Sequence, residues 1–143
     1  MLRLICIGKL KDRRLAGLID DYLKRIRPWA KLEIEELKDS DPRREAAALL
    51  ERSGRGGAGR LVALDERGAA RTSRELATLL AAHGSITFLI GGPDGLDHAV
   101  RERADTLLSL SPMTFTHEMA RLILVEQIYR GLAINRNHRY HRD

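Results

Sequence analysis

Three stretches of the chain hold the residues whose types and order could do chemistry. The first is Phe88-Leu89-Ile90-Gly91-Gly92-Pro93-Asp94-Gly95-Leu96, an apolar run that stops at a glycine-rich loop ahead of a helix-like segment. Glycine permits positive φ and lets a ligand lie against the backbone. Loops outside the carboxyl ends of strands are where open parallel sheets bind ligands, and a helix start just after the loop would turn amides outward. The pattern does not fit the dinucleotide spacing, and taken alone it also fits a tight turn. The second stretch is Leu110-Ser111-Pro112-Met113-Thr114-Phe115, followed by Thr116 and His117. The third is the ending, Asn135-Arg136-Asn137-His138-Arg139-Tyr140-His141-Arg142-Asp143.

The first two stretches combine with Leu64, the end of the apolar run Leu61–Leu64. If the three strands concerned are neighbours, their exposed backbone groups would hold a planar base and a ribose. Leu64, Met113 and Phe115 would supply apolar walls. A small adenosine-containing cofactor suits that mixture of apolar surface and few polar anchors. The ending has three arginines, two histidines and a tyrosine, which suit phosphate contacts and base stacking. A solvated terminus is the plainer reading of it.

These segments must be positioned by the rest of the chain. Met1–Gly8 reads as an apolar strand, and Asp12 then caps an amphipathic helix with Leu15, Leu18, Ile19, Tyr22, Leu23 and Ile26 on one side. Leu32–Leu37 reads as a half-exposed strand, and Asp41-Pro42 opens a helix running to about Arg52. Ser53–Arg60 (SGRGGAGR) reads as a surface connection. Leu61–Leu64 is a buried strand, with a turn expected at Asp65-Glu66-Arg67-Gly68. Thr72 to Glu75 form a capping box. Ser85–Ile90 is the next strand, followed by the loop, a helix near Asp97–Asp105 and a short strand at Leu107–Leu110. Thr116 caps a last helix reaching Ala133.

Strand and helix alternate throughout. That order predicts a single α/β domain with a mainly parallel sheet flanked by helices on both faces. The last helix carries Met119, Leu122, Ile123, Leu124, Val125, Ile128 and Leu132, leaving little polar face. A helix of that kind is buried on more than one side, and a second subunit related by a two-fold axis is expected to cover part of it.

Charge and composition narrow the function. The net charge is +5, and nine Lys/Arg against three acids fall within residues 1–31. Basic ends around an acidic middle point to a polyanion, with RNA the first choice. The N-terminus lacks the features of a signal peptide, and no apolar run is long enough to span a bilayer. The single cysteine, Cys6, excludes an internal disulfide and fits a reducing cytoplasm. It sits in an apolar strand and reads as a core thiol. No metal site is expected.

FLIGGPDGL, LSLSPMTFTHEMARLILVEQIYRGLAI and the ending NRNHRYHRD together resemble the large-subunit ribosomal RNA methyltransferase H family, of the SPOUT or α/β-knot class. The resemblance spans the chain and is strongest over residues 86–143. It implies a deep C-terminal trefoil knot, a homodimer and S-adenosylmethionine as methyl donor. It also implies methylation of N3 of a pseudouridine in the helix 69 loop of 23S ribosomal RNA, on assembled ribosomes. Carried over by motif, the donor would be held by Leu64, Gly91 and Leu110-Ser111-Pro112-Met113-Thr114-Phe115, with Gly92 and Gly95 of the same loop. Tyr140, His141 and Arg142 match the family's ending, which reaches the partner's active site.

Chemistry adds roles to these positions. The imide nitrogen must lose its proton, so a base or a nearby cation is needed. His141 and His117 are the candidates for base, and Arg142 for stabilising the anion. Two other readings remain open. One is a non-enzymatic ribosome-binding factor of the same fold, and the other is a nucleotide-binding domain with phosphate at the glycine loop.

Overall fold

In a computed structural model, which describes residues 1–57 and 59–143, the chain alternates strand and helix from end to end. The elements are β1 (Leu2–Ile7), α1 (Arg13–Ile26), β2 (Leu32–Leu37), α2 (Pro42–Gly54) and β3 (Arg60–Ala70). They continue with α3 (Ser73–Ala82), β4 (Ile86–Ile90), α4 (His98–Arg103), β5 (Thr106–Ser109) and α5 (His117–Asn135). The helix starts follow capping chemistry. Asp12 accepts the amides of Arg14 and Leu15, Asp41 that of Arg44, Asp97 that of Ala99 and Thr116 that of Met119. Thr72 and Glu75 satisfy each other's backbone amides in a full capping box.

The strands form one sheet in the order β2-β1-β4-β3-β5, and all four neighbouring pairs are parallel. Alternation along each strand divides the core. Leu2, Leu4, Cys6, Val62, Ile86, Phe88 and Ile90 face α1, α3 and α5. Ile5, Ile7, Ala63 and Leu89 face α2 and α4. Both faces are covered, as the expected α/β class requires. Among the described residues no helix is long and apolar enough to cross a membrane.

Several boundaries differ from the sequence reading. The strand expected to end at Leu64 runs to Ala70, because its register with β5 jumps: Leu64 and Ala69 both face Leu108. Residues 65–68 are an excursion within a strand rather than a closing turn. A Cβ on Gly68 would come 2.5 Å from the Leu107 carbonyl oxygen, so glycine is what lets the chain rejoin β5 there. Ser53 and Gly54 belong to α2 and Arg60 to β3, so the glycine-rich connection is shorter than expected, and its Ala58 lies outside the described residues. Helix α4 is only six residues long, and α5 runs two residues past Ala133.

Helix α5 buries Leu124, Val125, Ile128, Tyr129, Leu132 and Ala133. It lies between α1 and α3 and against β4, so a single chain covers more of its girth than the sheet alone would. A Cβ on Gly131 would stand 2.7 Å from Leu80 Cδ1, so α5 and α3 approach closely at that point.

At the start of α5, Arg121 is 3% exposed. Its Nη1 donates to Glu36 Oε2 (2.6 Å) and its Nη2 to the Gly8 carbonyl (3.2 Å). The guanidinium thereby ties α5 to the carboxyl ends of β1 and β2. Burial pushes the Glu36 carboxyl upward, but the hydrogen bonds from Arg121 and from the Leu10 amide outweigh it and hold the group below its ordinary range. A carboxylate depressed in the folded state contributes stability that is full above the ordinary carboxylate range. That contribution is lost as pH falls through the depressed value. Glu36→Gln should therefore be less stable than the parent chain at about pH 7, with the gap shrinking as pH drops from about 5 toward about 3. Urea unfolding across that series would check it. A constant gap would show that the pair's charge contributes nothing.

Candidate functional site

The carboxyl ends of β3, β4 and β5 meet at one end of the sheet, where a cleft of ≈ 810 Å³ opens. That is within the size range of small-molecule sites. Leu64, Gly91, Gly92, Gly95, Leu110, Ser111, Met113, Thr114 and Phe115 all line it, so the strand ends expected to converge do so. Pro112 is exposed between two lining residues. His117 lines the cleft from the first turn of α5. Met113 is 75% exposed and Phe115 36%, so the apolar wall formed by residues 110–116 stands open to solvent.

The glycine loop folds on itself. Gly95 has φ +79° and its amide donates to the Gly92 carbonyl at 2.9 Å. A Cβ on Gly91 would stand 2.9 Å from the Gly95 carbonyl oxygen. Glycine at position 91 is therefore demanded by the turn itself, and the turn and ligand-loop readings are not alternatives: the turn forms a wall of the cleft. The outward amides expected of the next helix are less free than the sequence reading supposed. Asp97 accepts the Ala99 amide at 3.0 Å, which satisfies that donor within the chain.

Polar residues that the sequence reading passed over complete the lining. Asp65, Glu66, Asp94 and Glu118 supply carboxylates, and Arg67 and Arg101 supply cations. Asp65 is nearly buried (side chain 7% exposed), with Arg101 Nε 2.6 Å from its carboxylate, a contact that holds α4 against β3 across the glycine loop. Glu66 holds the other wall. Its carboxylate accepts the Thr114 hydroxyl (2.6 Å), and its carbonyl accepts the Ser109 hydroxyl (3.1 Å). Position was the available signal for these two acids, since they directly follow Leu64. Reading residues 65–68 as a closing turn hid them.

The C-terminal tail is docked rather than frayed, and it lies elsewhere. The Tyr140 hydroxyl donates to Glu126 Oε1 (3.0 Å) and stands 3.1 Å from the Tyr22 hydroxyl. Its ring packs edge-on to Tyr129 at 4.6 Å under the Arg130 guanidinium. Burial and the bonds to Tyr22 and Glu126 push the Tyr140 phenol up, so it stays protonated near neutrality. His141 Nδ1 lies 3.1 Å from Arg130 Nη1 and Nε2 lies 2.9 Å from Asp143 Oδ1. Arginine only donates, so Nδ1 accepts and Nε2 is left to donate. Asp143 pairs with Arg74, which with His141 holds its carboxyl well below the usual range. Arg142 is exposed. Among the described residues, none of these tail partners lines the cleft. One chain thus brings the expected donor residues except Pro112 together with His117, but not Tyr140, His141 and Arg142.

Cys6 is excluded from the chemistry. Burial pushes its thiol up to about 12, despite the opposing pull of Arg121, so it holds its proton. Among the described residues no cluster of His, Cys, Asp or Glu is arranged to hold a metal ion.

Comparison with known proteins bears on the family and the fold. Residues 1–141 match the family model described as "Predicted SPOUT methyltransferase". The chain is 43% identical to ribosomal RNA large subunit methyltransferase H of Symbiobacterium thermophilum, with 99% of each chain covered. It is 46% identical to the protein of the same name from a Synechococcus species, over 99% of this chain and 94% of that one. Among solved structures, a protein described as a "probable methylase family protein" from Haemophilus influenzae Rd KW20 superposes with a TM-score of 0.58 at 12% identity, covering 99% of this chain and 70% of that one. The SpoU methyltransferase AviRb of Streptomyces viridochromogenes, in complex with AdoMet, gives 0.50 at 14% identity, over 96% and 58%. The two structures share the fold, and the two sequences share the whole chain with this one. The chain belongs to the SPOUT methyltransferase family, among the proteins named ribosomal RNA large subunit methyltransferase H.

Proposed function

We propose that this chain transfers a methyl group from S-adenosylmethionine to N3 of a pseudouridine in the helix 69 loop of 23S ribosomal RNA. It would act on assembled ribosomes in the cytoplasm, as a homodimer. The observation that carries the reading is the cleft, which gathers every expected donor residue but Pro112 at the ends of β3, β4 and β5. The donor is a sulfonium cation, and four carboxylates against two arginines in the lining suit a cation. Leu64, Met113 and Phe115 supply apolar surface for an adenine ring. The relatives' names supply the substrate class. The trefoil knot belongs to the same proposal. Its support is the path of residues 110–116, which leave β5 beside the 91–95 loop before α5 packs between α1 and α3.

When bound, S-adenosylmethionine would supply the methyl group to N3, with the electron pair of the broken carbon–sulfur bond going to sulfur. The protein's task is mainly alignment, which can supply roughly 7–11 kcal/mol of barrier reduction. The N3 proton must go to a base. His117 is in the cleft of the same chain, while Tyr140, His141 and Arg142 are not, which favours their delivery from a second subunit. In that role His141 takes the proton and Arg142 stabilises the imide anion. His141 must first exchange its contacts with Arg130 and Asp143.

Incubating the protein with methyl-labelled S-adenosylmethionine and assembled ribosomes should place label on one pseudouridine N3 of 23S RNA. Ribosome binding without transfer would instead favour the non-enzymatic factor. Under saturating donor, His141→Ala should lower turnover by about 10²–10⁴-fold, the usual contribution of a general base. Its donor affinity, read by titration calorimetry, should stay within about twofold, because a proton acceptor acts on the RNA base and not on the methyl donor. Unchanged turnover would remove His141 from the mechanism.

A further inference from the structure

The first turn of α5 faces two ways. His117, Glu118 and Ala120 line the cleft. The Glu118 carboxylate also accepts two backbone amides from the loop between β1 and α1, those of Lys11 (2.7 Å) and Asp12 (3.0 Å). Those amide bonds hold the Glu118 carboxyl below its ordinary range. One turn further on, Arg121 binds the Gly8 carbonyl and Glu36, and Glu36 in turn accepts the Leu10 amide at 2.8 Å. The backbone at residues 8, 11 and 12 is therefore fastened directly to the start of α5, and that at residue 10 through Glu36. Fixed on this loop, and on the helix start that follows it, are four exposed cations: Lys9, Lys11, Arg13 and Arg14.

We propose that Glu118 is a positioning residue that couples the donor cleft to the basic 8–14 segment, so that methyl donor and RNA phosphate backbone strengthen each other's binding. The inference rests on the function proposed above. A donor packed against residues 115–120 orders the first turn of α5. Glu118 then orders the amides of residues 11 and 12 and the directions of Lys9 and Lys11. RNA phosphates gripping those lysines order the same amides from the other side. Whichever ligand binds first meets part of the ordering cost, so the second binds more tightly, and the coupling is reciprocal. Arg121 supplies the fixed pivot, since its buried guanidinium cannot follow the loop into solvent.

The test uses labelled S-adenosylhomocysteine, which occupies the donor site without reacting. Its dissociation constant is measured by equilibrium dialysis with and without saturating assembled ribosomes. The ratio of the two values reports coupling and cancels any change in intrinsic affinity. The parent chain should give a ratio of about five or more. Glu118→Ala should bring it to about one, and Glu118→Gln, which keeps an acceptor oxygen, should restore most of it. Amide hydrogen exchange on the free protein gives a separate readout: Glu118→Ala should lose protection at Lys11 and Asp12. A ratio near one in the parent chain, or one that survives in Glu118→Ala, would overturn the proposal. If S-adenosylhomocysteine failed to bind the parent chain, the donor-site reading itself would fall, and this inference with it.

Discussion

A guanidinium kept out of water at the start of α5 fixes the end of the sheet where the chemistry is proposed. Burying a charge costs several kcal/mol unless partners replace its hydration. Arg121 meets that requirement only where the Gly8 carbonyl and the Glu36 carboxylate come together, beyond the ends of β1 and β2. Among the described residues its Nε finds no hydrogen-bond partner, so the two Nη bonds carry the whole of the compensation. The pair therefore acts as a register pin. It sets where α5 begins, and so where His117 and residues 110–116 stand relative to the glycine loop.

The two faces of the sheet divide the work. The face under α1, α3 and α5 holds the larger cluster, including Phe88 and the tyrosine–tryptophan group around Tyr129. The face under α2 and α4 is smaller, and α4 is a single short helix after the glycine loop. The Asp65–Arg101 contact ties that short helix to β3. The cleft thus has a rigid floor of strand ends. Asp65 holds α4, which follows the 91–95 turn, and Glu66 holds the 110–116 segment. Such tethers matter because misplacing reacting atoms by a fraction of an ångström erodes the benefit of alignment.

Much of this was legible from the chain alone. Capping residues announced every helix start but that of α4, because an Asp or Thr side chain serves the first free amides whatever the tertiary setting. The convergence of Leu64, Gly91 and Leu110 followed from the order of elements and the family's motif. Residues 65–68 were misread, because polar residues and a glycine after an apolar run look like a turn. Only the proximity of β5 reveals a strand that bulges and rejoins. The roles of Arg121 and Glu118 were not legible, since their partners lie 85 or more residues away in sequence. The residue types of the tail were legible in the sequence, and its packing against its own chain was not. Its docking depends on Tyr22, Arg74 and Glu126, which no local pattern connects to it.

The central claim is that the cleft between the 91–95 turn and residues 110–116 is the methyl-donor site. Hydrogen–deuterium exchange on the purified protein, with S-adenosylmethionine and with ATP as control, tests it most directly. The account predicts saturable protection from S-adenosylmethionine confined to residues 91–95, 110–116 and the first turn of α5, with no response to ATP. Protection by ATP at the glycine loop, or S-adenosylmethionine protection centred elsewhere, would contradict it.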